Sequence, residues 1–266
     1  MERRFYAIRL WYDGAHFHGW QRQAGLRTVQ EALEDALGAV GIRAPLAAAA
    51  RTDRGVHAVA QVVTFAARAA LDPEALRRSL NAALPDDIAV IDVAPAPPSF
   101  HARASARSRT YVYLVGRDLP EGLLPCAWSL PDSRAFPGLA AARLDAGAMH
   151  AALAHALGTH DFSGFARAPG SGAHPNPTRT VLRAEVQTAT WAQLHALVIE
   201  ANGFLRAMVR NLVGTAVAAG LGIIPPSRLS EILQARGRYR GVRAPGWGLT
   251  LAAVAYPEEG RAPRET

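Results

Sequence analysis

The sequence contains no lysine, a single cysteine and no long apolar run. All 29 basic residues are arginine. The lone Cys126 excludes an internal disulfide and a zinc site built from clustered cysteines. No apolar run approaches the roughly 20 residues that span a bilayer, and the residues after Met1 lack the apolar core of a signal peptide. We therefore expect a cytoplasmic protein without a membrane segment.

The charge balance points to a polyanionic partner. Basic residues outnumber acidic ones by 29 to 22, which gives a formal net charge of +7 and a pI near 10.4. Positive clefts attract polyanions, and neutralised phosphates release counterions. A coding bias towards arginine and alanine explains the choice of arginine over lysine, but it does not explain the basic excess. Nucleic acid is the partner class that this composition favours.

The first hundred residues follow the element order of a split βαβ unit. The patterns predict, in order, a strand at 5–12, a helix at 29–40, strands at 45–50 and 60–65, a helix opening at Asp72 and a strand at 88–93. Thr28 and Glu31 form a capping box for the first helix. Asp72 followed by Pro73 is a typical start for the second. This order is that of a ferredoxin-like fold.

A similar but less regular pattern follows. It predicts a strand at 109–115, a helix at 145–157, strands at 180–188 and 194–200, helices at 205–219 and 226–235, and a final strand at 249–256. We therefore expect an α+β protein of two ferredoxin-like (RRM-like) halves, 1–104 and 105–266, in a pseudo-symmetric arrangement. Each half would be a mainly antiparallel sheet with helices on one side, and a basic cleft would lie centrally.

One short stretch carries the most chemical information: Arg51-Thr52-Asp53-Arg54-Gly55-Val56-His57. It connects two predicted apolar strands, where a rigid scaffold can expose reactive groups. In an extended chain Arg51 and Asp53 share a face and can pair, and a guanidinium favours the ionised carboxylate. An anionic Asp53 is suited to nucleophilic attack. From local chemistry alone, a turn aspartate that bonds to its own backbone is the simpler interpretation.

This stretch resembles the signature of the tRNA pseudouridine synthase A (TruA) family, Gly-Arg-Thr-Asp-x-Gly-Val-His. Ala50 stands where that signature usually has its first glycine. Further blocks resemble the same family over nearly the whole chain, in the expected order. They are Tyr12-Asp13-Gly14, Gly19-Trp20-Gln21-Arg22-Gln23, Val29-Gln30-Glu31, Leu80-Asn81, Leu84-Pro85-Asp86-Asp87-Ile88, Phe100-His101-Ala102-Arg103, Tyr111-Val112-Tyr113, Asn202 with Phe204, and Met208-Val209-Arg210-Asn211-Leu212-Val213-Gly214.

The resemblance implies an isomerase that converts uridine to pseudouridine at positions 38–40 of the tRNA anticodon stem-loop. Asp53 would attack the target nucleotide, either at C6 of the base or at C1′ of the sugar. The reaction would need neither metal nor cofactor, and the working form would be a homodimer. The target base must also leave its stack to reach the pocket.

The resemblance also implies three substrate-binding residues. Tyr111 would stack on the flipped base and could take the C5 proton, although a core aromatic is the alternative. Arg51 would pair with Asp53 and fix its position. Arg210 would come near the same carboxylate, with a helix-surface arginine as the alternative. His57 would buttress the loop. Candidates for phosphate contacts are Arg22, Arg77, Arg78, Arg107 and Arg109.

Two rival functions come from other classes. A catalytically silent RNA-binding protein could use a ferredoxin-like sheet with exposed aromatics, as RRM modules do. Such a binder gains nothing from Asp53 in a phosphate-lined cleft, because the anion repels the ligand. A metal-dependent hydrolase would use scattered residues such as His16 and His18, but their spacing lacks a third clear ligand.

Overall fold

The protein is described by a computed structural model that covers residues 3–130, 143–167, 176–189, 193–235, 239 and 241–257. The chain forms two compact units. The first comprises Met1–Arg109 and Thr250–Thr266, and the second comprises Thr110–Leu249. The sequence predicted a single division near residue 105. The chain instead crosses between the units twice, because the last strand pairs with a strand of the first unit.

The first unit is a sheet with two helices. Its elements are β1 (Arg4–Tyr12), α1 (Val29–Ala39), β2 (Ala47–Ala48), β3 (His57–Ala67), α2 (Pro73–Ala83), β4 (Ile88–Ala96) and, from the end of the chain, β10 (Leu249–Ala255). The strand order is β4-β1-β3, with β2 pairing β3, and these three pairings are antiparallel. β10 runs parallel to the start of β3, where Thr250 lies opposite His57.

Both helices of this unit begin with side-chain caps. The Thr28 hydroxyl accepts the backbone N–H of Glu31 at 3.4 Å, as the capping box predicted. The Asp72 carboxylate accepts two N–H groups of the first turn of α2, and Pro73 occupies the first helical position. These caps satisfy N–H groups that a helix cannot satisfy internally. Because the capping residues are recognisable in the sequence, the sequence predicted both helix starts.

The core of the first unit follows strand and helix periodicity. Ile8 and Leu10 are two residues apart on β1, share one face and are completely buried. Leu33 of α1 and Leu80 of α2 are equally buried. The next residue of α2 is Asn81, whose amide donates to the backbone carbonyl of Val90 and accepts its N–H. These two hydrogen bonds fix α2 against β4.

The second unit has the larger share of helix. Its elements are the main part of β5 (Ser108–Gly116), β6 (Trp128–Ser129), α3 (Ala146–Ala154), β7 (Gly158–Asp161), β8 (Thr178–Ala189), β9 (Leu194–Ala201), α4 (Met208–Gly220) and α5 (Arg228–Ala235). The strand order is β5-β9-β8-β7, and β6 runs parallel to β5. All residues of α4 except Arg210 are buried, so this helix is the centre of the unit. Within the described ranges, no helix is long and apolar enough to cross a membrane.

Candidate active site

Asp53 lies in the loop between β2 and β3, in a chain segment whose side chains alternate. Arg51 is exposed, Thr52 is only 6% exposed and Asp53 is half-buried. The segment ends in a turn, where the N–H of Val56 donates to the carbonyl of Asp53 at 3.2 Å. Gly55 has φ +78° in this turn, a left-handed conformation that glycine adopts without strain. The loop therefore buries Thr52 and leaves the residues on either side of it more exposed.

A second loop, residues 13–28, holds the Asp53 loop from outside. The N–H of Trp20 donates to the Thr52 carbonyl at 3.0 Å, and the N–H of Gly55 donates to the Phe17 carbonyl at 3.2 Å. Phe17 and Trp20 are themselves 1% and 2% exposed. Two backbone hydrogen bonds and two buried aromatics thus join the loops into one rigid layer, which suits a group that must be held in place.

The outer loop is fastened at its far end by an ion pair. The Arg27 guanidinium donates to both oxygens of Asp87, at 2.6 and 2.8 Å. The same guanidinium lies 4.0 Å from the centre of the Phe17 ring. The Asp87 hydrogen bond raises the pKa of Arg27. This bidentate pair connects the loop to the start of β4, and the guanidinium contacts Phe17, whose carbonyl accepts the N–H of Gly55 in the Asp53 turn.

His57 supports the loops from the start of β3. Its Nδ1 lies 3.1 Å from the backbone nitrogen of Gly14, whose N–H donates to it, and 3.0 Å from Oδ1 of Asp13. The imidazole is 8% exposed. A Cβ on Gly14 would overlap the Val56 carbonyl, so the two loops meet here backbone to backbone. These contacts agree with the expected buttressing role.

Inside the unit, a buried polar network meets the Asp53 loop. The hydroxyl of Tyr12, at the end of β1, lies 2.8 Å from Oγ1 of Thr52. The Gln61 amide donates to the Ala50 carbonyl at 2.8 Å and accepts the Ala50 N–H at 3.2 Å. Gln61 also donates to the Tyr12 oxygen at 3.4 Å. The family signature contains Thr52, but the sequence patterns gave no role to Gln61 or to the Tyr12 hydroxyl.

The pairing expected between Arg51 and Asp53 stays a prediction. Sharing a face in an extended segment brings two side chains near each other, but here Arg51 is exposed whereas Asp53 is half-buried. A role for Arg51 therefore rests on its exposure beside Asp53.

The second unit holds the other two predicted site residues. Tyr111 of β5 is 7% exposed, and its ring meets the Phe204 ring edge to face, with centroids 5.2 Å apart. Arg210 lies in the first turn of α4, and its Nε donates to the Ala244 carbonyl at 2.7 Å. The Ala244 N–H returns a bond to the Arg210 carbonyl at 3.1 Å. Arg210 is thus a half-buried, tethered arginine and not a mobile surface one.

Strain and burial mark the surroundings of Arg210. Ala207, directly before α4, has φ +63°, a left-handed conformation that is costly for a residue with a Cβ. Burial raises the pKa of Tyr113 well above its ordinary value, and the nearby Arg210 charge opposes this with a smaller effect. The Tyr113 hydroxyl donates to the Pro245 carbonyl. Strained backbone of this kind clusters at functional sites.

Most arginines proposed as phosphate contacts have other partners. Arg22 forms salt bridges with Glu31 and Glu34, and Arg77 and Arg78 both bond to Glu74. Arg109, another of these candidates, is buried. It is 8% exposed, and its guanidinium donates to the carbonyls of Ala49, Arg103 and Ala106. An alternating strand pattern does not reveal that an arginine points inward. Arg107 is exposed.

Within the described ranges, no group of three or more His, Cys, Asp or Glu side chains is placed to hold a metal ion. His16 is exposed, and His18 has a buried Nδ1 without a hydrogen-bond partner. The chemically distinctive feature of the first unit is instead a half-buried carboxylate on a fixed backbone. Such a carboxylate is suited to nucleophilic attack.

Comparison with known proteins identifies the family. A family model described as tRNA pseudouridine synthase matches residues 9–103 and 152–257. A tRNA pseudouridine synthase A from Methylacidiphilum infernorum is 40% identical over 258 residues, covering 96% of both chains. Its counterpart from Roseiflexus sp. is 39% identical, covering 96% of this chain and 91% of that protein. One from Neisseria meningitidis is 39% identical, covering 97% and 94%. The chain therefore belongs to the tRNA pseudouridine synthase family.

Proposed function

We propose that this protein isomerises uridine to pseudouridine in the anticodon stem-loop of tRNA, at positions 38–40, with Asp53 as the nucleophile. The observation that carries the proposal is the presentation of Asp53. Its carboxylate is half-buried in a loop fixed by backbone bonds from Trp20 and to Phe17. Family membership and the net charge of +7 support a tRNA substrate.

The proposed chemistry is balanced without a cofactor. Asp53 attacks the target uridine at C6 of the base or at C1′ of the sugar, and the bond between N1 and C1′ breaks. The uracil turns, C5 bonds to C1′, and the bond between Asp53 and the nucleotide breaks, which returns the free carboxylate. The proton on C5 is lost while N1 gains one. No electrons are exchanged with another molecule and no group leaves, so the nucleophile and a proton acceptor suffice.

The other predicted residues have supporting roles in this proposal. Tyr111 contacts the flipped base, and its tethered position against Phe204 keeps the ring orientation fixed. Arg210 is held by Ala244 and supplies positive charge towards the substrate or the nucleophile. Arg51, exposed beside Asp53, contacts the RNA. Each role uses a charged group or a ring that is carried by a loop, a strand or a helix of the fold.

We also propose the finer architecture expected from the sequence: two ferredoxin-like halves, a homodimeric working form and a cytoplasmic location. The first unit supports the ferredoxin-like design. Its element order is β1-α1-β2-β3-α2-β4, and its strand order β4-β1-β3-β2 is antiparallel throughout. This is the arrangement of a split βαβ unit.

The proposal is tested by tritium release from tRNA labelled at C5 of uridine. Formation of pseudouridine displaces the C5 hydrogen, so we expect release from wild-type protein. Replacing uridines 38–40 by cytidine in an otherwise labelled tRNA should abolish it. Release that persists with the substituted tRNA would contradict the anticodon assignment while leaving the reaction class intact.

Chelation separates the proposal from its rivals. A cofactor-independent isomerase retains its full rate of tritium release from tRNA after treatment with excess EDTA. A metal-dependent hydrolase instead loses its hydrolytic activity when EDTA removes the metal. A silent RNA-binding protein would retain tRNA and release no tritium under either condition. Either of these last two results would overturn the proposed function.

A further inference from the structure

We propose that Tyr12 and Gln61 are positioning residues for Asp53, acting through Thr52 and Ala50. The proposal rests on the proposed function of Asp53 as nucleophile. It adds that buried hydrogen bonds beneath the loop set the direction of the carboxylate. All four residues lie in the first unit, and Tyr12 and Gln61 are completely buried. Neither side chain carries out chemistry itself.

The direction of the hydrogen bonds in this network follows from the donors available. The Gln61 amide nitrogen has only hydrogens to offer, so it donates to the Tyr12 oxygen and to the Ala50 carbonyl. The Tyr12 oxygen therefore receives a hydrogen bond from Gln61, and the Tyr12 hydroxyl forms a second bond with Oγ1 of Thr52, in which either oxygen can be the donor. Each polar group has a defined partner, so the network has one favoured arrangement.

The Tyr12 hydroxyl keeps its proton in the neutral pH range. Burial raises the pKa of Tyr12 to about 12, although its hydrogen bonds with Thr52 and Gln61 oppose the effect. The hydroxyl consequently stays protonated wherever the protein is folded near neutrality. A hydroxyl that keeps its proton is suited to fixing geometry and unsuited to moving protons in a catalytic cycle.

The bond to Thr52 fixes the outward direction of Asp53. Successive side chains of an extended segment point to opposite sides. Tyr12 holds the Thr52 side chain inside, and the alternation places Asp53 on the opposite side of the segment, where it is half-buried. Trp20 fixes the same residue from the other loop by bonding to its carbonyl. Thr52 is thus held by both its side chain and its backbone.

Gln61 fixes the other end of the segment. Its amide forms two hydrogen bonds with Ala50, one to the N–H and one to the carbonyl, as a neighbouring strand would. Ala50 lies two residues beyond β2, so the side chain continues the backbone pairing where the strand has ended. The backbone before Asp53 is therefore restrained at both residue 50 and residue 52.

The alternative is that Tyr12 merely fills the core. Phenylalanine fills nearly the same volume, so core filling predicts that Tyr12→Phe behaves like any loss of a buried hydroxyl. The chain offers a matched control on the same strand. Tyr6 is 3% exposed, and its hydroxyl accepts the N–H of Leu71 at 2.8 Å, away from the Asp53 loop. Both variants remove one buried, hydrogen-bonded hydroxyl from β1.

We expect Tyr12→Phe to lower kcat for tritium release by about tenfold or more while KM for tRNA changes by less than about twofold, because small displacements of a reacting group are costly. Tyr6→Phe should lower the thermal midpoint by a similar amount and leave kcat unchanged. Equal kcat values for the two variants at a temperature where both are folded would overturn the proposal.

Thr52 provides the second test, should Tyr12→Phe fail to fold. Thr52→Val keeps the shape and removes the hydroxyl, whereas Thr52→Ser keeps the hydroxyl. We expect the valine variant to lose kcat as Tyr12→Phe does, and the serine variant to recover most of it. In the double variant Tyr12→Phe, Thr52→Val the kcat loss should not exceed that of either single variant. Multiplicative losses would contradict the shared bond.

The outcomes also separate this inference from the proposed function. Wild-type protein that releases no tritium refutes the function. Active wild-type protein with an unaffected Tyr12→Phe and an unaffected Thr52→Val refutes only the positioning role. Active wild-type protein with kcat lost in both, and retained in Tyr6→Phe, supports both.

Discussion

At the scale of single residues, the Asp53 loop depends on a close approach that only glycine permits. Gly19 has φ +92°, and a Cβ built on it would lie 2.6 Å from the Thr52 carbonyl oxygen and 3.0 Å from the Asp53 carbonyl carbon. The contacted atoms are backbone, which cannot move aside as a flexible side chain would. The absence of a side chain at Gly19 therefore sets the distance between the two loops.

Gly25 in the same outer loop allows strain and contact to be separated. It has φ +71°, but a Cβ there would meet nothing within 4 Å. Alanine at either position costs about 1 kcal/mol of stability for the left-handed backbone. Gly19→Ala should lose more stability than Gly25→Ala and should also lower kcat, because it displaces the Asp53 backbone.

Urea unfolding and tritium-release kinetics on both alanine variants check this prediction. Gly25→Ala is the control for left-handed strain, and we expect its kcat to match that of the wild type. A Gly19→Ala variant as stable and as active as Gly25→Ala would show that the close approach does not constrain the loop.

Sequence motifs pointed to residues of the Asp53 loop, whereas no motif pointed to the buried polar residues beneath it. The signature predicted the Asp53 loop and the buttressing position of His57. Tyr12 reads in sequence as the last aromatic of a strand, and Gln61 as a polar residue within one. Their hydrogen bonds join residues 40 and 49 positions apart in the chain. Local patterns carry no signal for such contacts.

At the scale of elements, the antiparallel pair of β8 and β9 contains a buried titratable group. His195 of β9 is 7% exposed and lies directly opposite Thr188 of β8, with Nδ1 3.0 Å from its hydroxyl oxygen. Burial lowers the pKa of His195, because the charged imidazole loses its hydration. The neutral form is therefore favoured in the folded protein.

This burial predicts a pH-dependent stability. In the unfolded chain the histidine takes up a proton below about pH 6.5, whereas the folded state resists it. Its contribution is therefore present at neutral pH and is lost as the pH falls below that value. Urea midpoints should fall less between about pH 7.5 and about pH 5 in His195→Asn, which can still bond to Thr188, than in wild type. Identical falls would contradict the prediction.

Long elements and helices with capping residues could be predicted from the sequence, whereas very short strands could not. The sequence placed α1 and α2 well, because Thr28 and Asp72 mark their first turns. It missed β6 (Trp128–Ser129) and β7 (Gly158–Asp161), which have two and four residues. Strands this short show no alternation, and their pairing with distant strands decides that they form.

At the scale of the whole molecule, the return of the chain end was the feature that sequence periodicity could not supply. The final strand was predicted, but its pairing with β3 beside His57 was not. That pairing adds the last strand to the sheet of the first unit, directly next to the support of the Asp53 loop. Partner choice between strands depends on tertiary packing, so it lies beyond local patterns.

The molecule as a whole is a basic member of the tRNA pseudouridine synthase family that holds the half-buried Asp53 on a fixed loop. The formal charge of +7 favours binding of the polyanion, and binding alone does not require Asp53. Binding and chemistry should consequently respond differently to a change at this one residue. The proposed role of Asp53 as nucleophile can therefore be tested separately from tRNA binding.

The decisive measurement compares tritium release and tRNA binding for wild type, Asp53→Asn and Asp35→Asn. Asp35 is an exposed carboxylate on α1, so its variant matches the charge change away from the loop. We expect Asp53→Asn to bind tRNA at least as tightly as wild type and to release no tritium, whereas Asp35→Asn should be fully active. Release by Asp53→Asn at the wild-type rate would show that another residue is the nucleophile.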